Sequence, residues 1–283
     1  MYKSIKLKSY AKINLFLDVL NKRPDGYHNI KSVMQEIDLH DDIEINEAKS
    51  GITISCDSYN IPLDEKNTCY KAVMLIKEKF NIALGVNIII KKIIPTEAGL
   101  AGGSGNAAAV LKGLNNLWGL GMTAHELREL GTKIGADVPF CLTGGTCLCE
   151  DIGDKITELK QFIWDNIIII KPDFSISTPL AYKNIRDTEY NYYKDNKIME
   201  HINNKDYYNV CMSVANTLEV AAIKLQPQIL SIKDDLIKSG AISSLMTGSG
   251  SSVYGFYENK TSMLDAYNKL SSNYSKIFMT KTK

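Results

Sequence analysis

The residues best suited to chemistry lie in the run PTEAGLAGGSGNAAA, positions 95–109. Glycines at 99, 102, 103 and 105 let the backbone approach an anion closely and adopt torsions closed to other residues. An apolar, strand-like segment, Val86–Ile94, precedes the run, and a helix-like segment follows it. Ser104 and Asn106 are placed to cap that helix, whose first N–H groups lack partners within the helix and whose dipole favours negative charge. The expectation is phosphate held on a helix N-terminus.

Several phosphate chemistries compete for such a run. A Walker-type loop ends in Gly-Lys-Ser/Thr, because the lysine reaches the outer phosphates and the hydroxyl holds magnesium. No lysine occurs from Pro95 to Leu111, and the protein-kinase strings HRD and DFG are absent from the chain. Gly103-Ser104-Gly105-Asn106-Ala107-Ala108 matches the GxGxxA form of the dinucleotide fingerprint. That fingerprint needs its strand to run directly into the first glycine, whereas the irregular segment Pro95–Gly102 intervenes. The acidic residue downstream, Glu126, sits in the helix-like stretch TAHELREL, where a ribose-binding carboxylate is not expected. A glycine-rich turn with no ligand stays open on these residues alone.

The elements that must position this run belong to an ordinary globular chain. With 283 residues, 45% hydrophobic, the sequence is long enough for two domains around well-formed cores. A net charge of +1, with arginine only at 23, 128 and 186, argues against a nucleic-acid-binding surface and supplies few bidentate phosphate clamps. Cysteines at 56, 69, 141, 147, 149 and 211 contain no CxxC pair, so buried thiols are expected before zinc. Lys12, Asn14 and Asp18 interrupt the apolar N-terminal stretch, so no secretory or membrane-spanning segment is expected and the chain reads as cytoplasmic, with reduced thiols.

Strands are expected at Ile5–Leu7, Ile13–Leu20, Asp42–Ile45 and Ile52–Ser55. Asn67 opens a helix to about Phe80, and Thr123 with Glu126 forms a capping box for a helix that stops near Gly135. Pro139 is expected to block any continuation, and Cys141–Glu150 to form a strand bent at Gly144-Gly145. Ile167–Ile170 is a fully apolar strand opening a second domain. Beyond it, Glu189–Lys205 reads as loop or weak helix, and helices are expected over 206–224 and 228–239. Ile242–Thr247, a second small-residue run at 248–252, then strand, helix and strand complete the chain.

Three segments stand out together: SYAKINLFLDVLNKRPDGYHNI (9–30), PTEAGLAGGSGNAAA with the trailing GADVPF (135–140), and MTGSGSSVYG (246–255). In order and spacing they resemble the GHMP kinases. The resemblance implies an α+β, two-domain GHMP kinase fold. Its N-terminal ATP-binding domain, 1–155, would be like ribosomal protein S5 domain 2, and its C-terminal domain, 156–283, an α/β, ferredoxin-like one, with the active site in the cleft between them. It implies that Pro95, Thr96, Glu97, Ala98, Gly99, Leu100, Ala101, Gly102, Gly103, Ser104 and Gly105 wrap the phosphates of ATP, the co-substrate, with Mg2+ whose ligands stay unassigned. The implied partner is a small-molecule alcohol carrying a cytidine diphosphate group, with no nucleic acid and no membrane; the oligomeric state stays undetermined.

Phosphoryl transfer asks for a base near the acceptor hydroxyl and positive charge on the transferring group. Asp137, fixed between Gly135 and Pro139, is the expected base; its alternative is a turn aspartate bonded to its own backbone. Strand alternation puts Lys12 on the same face as Asn14, and a lone strand lysine is most simply an exposed edge residue. The resemblance instead pairs Lys12 with the aspartate as the catalytic pair. Tyr27 would stack on the cytidine base and His28 would bond its edge; without the resemblance these residues read as a hairpin turn with a surface aromatic. Asn14, Thr178 and Tyr182 match family positions on the substrate side.

The chain departs from the family pattern at Glu97, where a small residue is frequent, and at Gly105, where a serine is frequent. An acidic side chain beside triphosphate is unfavourable unless it points away or meets magnesium. The rival expectations are a homoserine- or mevalonate-type kinase of the same family, separated by Asp25-Gly26-Tyr27-His28, and a non-catalytic nucleotide-binding protein on the same scaffold.

Overall fold

The computed structural model describes residues 3–58 and 61–283. The chain forms two compact units, each assembled from separate segments. The first comprises the chain up to Ala11, Leu39–Thr96 and Ala101–Gly144; the second comprises Lys12–Asp38, Glu97–Leu100 and Gly145–Lys283.

In the first unit, β2 (His28–Ala48) pairs antiparallel through Asp42–Ala48 with β4 (Gly85–Lys91), and β3 (Ile52–Cys56) runs parallel to β4. Helix α1 (Thr68–Phe80) lies between β3 and β4, and α2 (Gly102–Leu117), α3 (Ala124–Thr132) and α4 (Val138–Thr143) follow β4. Ile43, Ile45, Ile88 and Ile90 from the strands meet Ala72, Val73 and Ile76 of α1 and Val110, Leu111 and Leu114 of α2 in one core. Local chemistry sets the helix starts. Asn67 accepts from Cys69 N at 2.8 Å to open α1, and Thr123 with Glu126 forms the expected capping box of α3.

Two expectations fail at α4. Pro139 does not block a helix; it occupies the first turn of α4, where its missing N–H would be unpaired in any case. Cys141 therefore lies in a helix, and the strand β5 spans only Thr146–Asp151, burying Cys147 and Cys149. Gly144 and Gly145, both at positive φ, form the turn between helix and strand.

The second unit contains the rest of β1 (Ser4–Lys22), one strand where the sequence reads as two. From Ala11 to Val19 every residue is buried, so the strand is covered on both faces and shows no burial alternation. Its polar members Lys12, Asn14 and Asp18 must therefore be bonded within the protein. Ile30–Gln35 of β2 pairs with β5, which pairs with β6 (Lys155–Glu158).

A second sheet is antiparallel throughout: β7 (Ile167–Ile170), β9 (Ser243–Met246), β10 (Val253–Phe256) and β11 (Ile277–Thr280), in the order β11-β7-β10-β9. Helices separate β7 from β9, and α10 (Lys260–Leu270) separates β10 from β11, which is the ferredoxin-like arrangement. The four isoleucines of β7 are fully buried, each contributing about 2 kcal/mol of transfer free energy.

The expected helix over 206–224 is broken into α7 (Tyr207–Met212) and α8 (Thr217–Leu225) by the short strand β8 (Ala215–Asn216), which adds to β1 at Phe16 and Leu17. Asn216 causes the break: its side chain accepts from Leu218 N to start α8 and donates to the carbonyls of Met246 and Gly248, each at 2.8 Å. Between β7 and α7 lie α5 (Thr178–Lys183) and α6 (Ile198–Asn204); α9 (Gln228–Lys238) follows α8. Among the described residues no helix is long and apolar enough to cross a membrane.

Candidate active site

In the first unit the glycine run enters α2 without a side-chain cap. Ala101, at φ +56°, occupies the cap position, and the first helical bond runs from Gly105 N to Ala101 O at 2.8 Å. Ser104 and Asn106 lie inside the helix, contrary to the capping expected of them. The N–H groups of Gly102, Gly103 and Ser104 precede that first bond, so the helix start presents donors and the positive dipole end together. Thr68 Oγ1 donates to Gly103 O at 2.7 Å, tying α1 to the run.

Gly105 is explained by packing. A Cβ there would meet Ser9 Oγ at 2.7 Å and Tyr10 O at 3.0 Å, so the hydroxyl beside this turn of α2 comes from Ser9 on β1. The entry to the run is set by a buried ion pair that sequence reasoning missed. Asp41 accepts from the N–H groups of Ile93 and Ile94 at 2.7 and 2.8 Å, and Lys92 Nζ lies 2.6 Å from its other oxygen. Pro95 and Thr96 follow directly, half-buried. Nothing in the sequence marks this pair, because Asp41 sits beside Asp42 and Lys92 beside Lys91.

Asp137 stands at the cap position of α4 with φ −82° and ψ −11°, yet its carboxylate makes no cap bond. Its backbone is fixed instead: Val138 N bonds Gly135 O and Cys141 N bonds Asp137 O, both at 3.1 Å. A Cβ on Gly135 would lie 4.0 Å from Ser104 Oγ, which brings the Asp137 segment alongside the start of α2. The Asp137 side chain is half-buried.

The second unit carries Glu97, Ala98, Gly99 and Leu100. Leu100 O accepts from Lys12 N at 3.2 Å, and Ala98 O from Ser252 N at 3.3 Å, so this half of the run is stitched to β1 and to the loop at 247–252. Glu97 has φ +50° and an exposed side chain. Its charge is felt by Lys171, whose pKa is lowered chiefly by burial and raised in part by Glu97. Lys171 Nζ donates to the carbonyls of Pro172 and Phe174 at 2.7 and 2.8 Å, pinning the loop before Thr178.

Lys12 is 3% exposed, so the edge-lysine alternative fails. Its ammonium donates to Asn14 Oδ1 at 2.7 Å, on the face the alternation predicts. Asn14 N donates to Thr247 Oγ1 at 3.0 Å. Thr178 Oγ1 lies 2.8 Å from Ser249 Oγ, bringing the first turn of α5 against the same loop. MTGSGSSVYG was legible as a motif, but neither Thr247 nor Ser249 was singled out within it.

Tyr27 and His28 close the turn between β1 and β2 and have different surroundings. Tyr27 N donates to Asp25 Oδ1 at 3.1 Å, Gly26 takes φ +88°, and an Arg23–Asp25 ion pair at 3.0 Å braces the turn. The Tyr27 side chain is 62% exposed, a free aromatic face. His28 is half-buried, stacked on Tyr182 at 4.9 Å between ring centroids, with Tyr190 OH 3.4 Å from its Nε2. Burial first, then the charge of Lys22, holds its pKa below the ordinary 6.5, so the ring is neutral at pH 7 and offers one donor and one acceptor. Tyr190 was not anticipated, since it lies in the segment read as surface loop.

A sequence model of the GHMP kinases N terminal domain matches residues 67–145, and one of the GHMP kinases C terminal domain matches residues 195–276. A Clostridium tetani protein named 4-diphosphocytidyl-2-C-methyl-D-erythritol kinase is 43% identical over 98% of this chain and 100% of its own length. A protein of the same name from Acetivibrio thermocellus is 42% identical over 99% of each chain. Among solved structures, a 4-(cytidine 5'-diphospho)-2C-methyl-D-erythritol kinase superposes with a TM-score of 0.84 at 27% identity, covering 98% of this chain and 99% of that one. Homoserine kinase from Cytophaga hutchinsonii superposes with a TM-score of 0.79 at 19% identity over 99% and 94%, a likeness of fold.

Proposed function

The chain belongs to the GHMP kinases, and from that premise we propose that it transfers the γ-phosphoryl group of ATP to the 2-hydroxyl of 4-diphosphocytidyl-2-C-methyl-D-erythritol, giving the 2-phosphate and ADP in isoprenoid precursor synthesis. The observation that carries the acceptor is aromatic. Exposed Tyr27 beside the stacked His28–Tyr182 pair offers π-faces and a neutral imidazole edge to an unpaired nucleobase. A homoserine or mevalonate acceptor has no ring to place there.

The residues divide the work as follows. The run Pro95–Gly105 cradles the ATP phosphates, with the N–H groups of Gly102, Gly103 and Ser104 aimed at them. Asp137 takes the proton as the acceptor oxygen forms its bond to the γ-phosphorus and the bond to the β–γ bridging oxygen breaks, releasing ADP. Lys12 supplies a positive charge for the developing alkoxide. Asn14 and Thr178 orient the methylerythritol portion, and Tyr27, His28 and Tyr182 hold the cytidine end.

Among the described residues no three His, Cys, Asp or Glu form a group that could hold a metal ion. Ser104 presents a hard hydroxyl oxygen at the start of α2, which with phosphate oxygens makes a donor set suited to magnesium. Magnesium would offset part of the triphosphate charge.

Phosphorus NMR of the product tests the regiochemistry. A single new monoester on the carbon bearing the tertiary hydroxyl supports the assignment; a monoester on a primary or secondary hydroxyl overturns it.

A further inference from the structure

We infer that Ser32 is a positioning residue for the reaction, fixing which face of the Asn14 amide meets the Lys12 ammonium. The inference rests on the proposed roles of Lys12 and Asn14 in phosphoryl transfer.

Ser32 lies on β2 and is fully buried. Its hydroxyl donates to Phe16 O at 2.6 Å. A carbonyl oxygen only accepts, so the single hydroxyl proton is committed to that bond. What Ser32 Oγ offers Asn14 is therefore a lone pair, and the group 2.8 Å away is the Asn14 amide nitrogen. The orientation of an asparagine amide is decided by such a network, because its oxygen and nitrogen are nearly the same shape.

With Nδ2 turned to Ser32, Oδ1 faces Lys12 and accepts from Nζ at 2.7 Å. The three bonds run one way: Lys12 donates to Asn14, Asn14 to Ser32, and Ser32 to the backbone of β1. An ammonium can only donate, so the reversed amide would present N–H to N–H and push the lysine away.

Other bonds hold the Asn14 backbone but leave this choice open. Asn14 N donates to Thr247 Oγ1 at 3.0 Å, and Asn14 O accepts from Tyr254 OH at 2.9 Å. Neither distinguishes the two amide orientations. Thr247 Oγ1 does lie 3.4 Å from Asn14 Oδ1, but it lies equally far from Gly99 O, a second acceptor for its one proton, so that contact is the weaker guide. Ser32 distinguishes them, although its sequence context, NIKSVMQ, gives no hint of a role in chemistry.

The test compares steady-state kinetics of Ser32→Ala and Ser32→Thr with wild type, using whichever alcohol the wild type phosphorylates, so that failure of the cytidyl assignment does not touch it. Removing the hydroxyl should lower kcat about tenfold while KM for ATP stays within twofold, since the glycine run is untouched. Ser32→Thr, which keeps the hydroxyl, should recover most of that loss. Thermal melts of all variants are recorded alongside. If the alanine protein does not fold, Ser32→Cys, close in size with a poor hydrogen-bonding group, takes its place. An alanine or cysteine variant with kcat within twofold of wild type would overturn the inference, as would a threonine variant no better than alanine.

Discussion

Gly99 lies so close to Thr247 that a methyl group added to it would overlap the Thr247 carbonyl, and Gly99 itself sits at φ +71°. Both facts require glycine. Thr247 Oγ1 also lies 3.4 Å from Gly99 O, so the loop at 247–252 and the first half of the glycine run hold each other in shape. Gly99→Ala should destabilise the protein by about 2–4 kcal/mol and raise KM for ATP. A thermal melt with an ATP titration checks this; unchanged values for both would remove the run from the nucleotide site.

Asp137→Asn removes the proposed base but leaves the backbone bonds around Gly135 and Cys141 intact. Turnover should fall about 10²- to 10⁴-fold while nucleotide binding, followed by calorimetry, persists. Near-normal turnover would rule Asp137 out as the base.

Tyr27 is braced through its backbone, so its ring can be deleted without disturbing the turn. Stacking of a base on an aromatic ring is worth about 1–3 kcal/mol, and each 1.4 kcal/mol is tenfold in affinity. Tyr27→Ala should raise KM for the cytidyl acceptor by that amount and leave KM for ATP alone. An unchanged acceptor KM contradicts stacking.

His28 gives a pH dependence with a definite sign. Its folded pKa lies below the ordinary 6.5, from burial first and Lys22 second. Between the folded and unfolded pKa values the unfolded chain binds more protons. The stability associated with neutral His28 is therefore fully present above about pH 6.5 and falls away as pH drops toward the depressed value. Acceptor KM should be flat above pH 6.5 and rise only below it, and the rise should vanish in His28→Asn. An inflection above pH 6.5 that His28→Asn abolishes would contradict this.

What could be read in the sequence was what its own neighbours decide. The Asn67 cap, the Thr123–Glu126 box and the apolar strand Ile167–Ile170 each depend on residues within a few positions, and all three stand in the structure. The helix over 206–224 failed because Asn216 answers to Met246 and Gly248, far along the chain. Cys141 reads as strand because its alternation with Cys147 and Cys149 is real, but Gly144 and Gly145 at positive φ turn the chain between them.

The same division holds at the candidate site. Lys12, Asn14 and the glycines lie in recognisable motifs. Ser32 and Tyr190 gain their roles only from partners brought by tertiary structure, as does Thr247, which meets Asn14 across 233 positions. The purpose of Gly105 was likewise hidden until Ser9 and Tyr10 were seen beside it.

The central claim is the choice of acceptor. ADP release, measured with purified protein, magnesium and ATP, should be stimulated by 4-diphosphocytidyl-2-C-methyl-D-erythritol and remain at background with homoserine or mevalonate offered separately. Turnover of homoserine or mevalonate, with none of the cytidyl compound, would contradict the account.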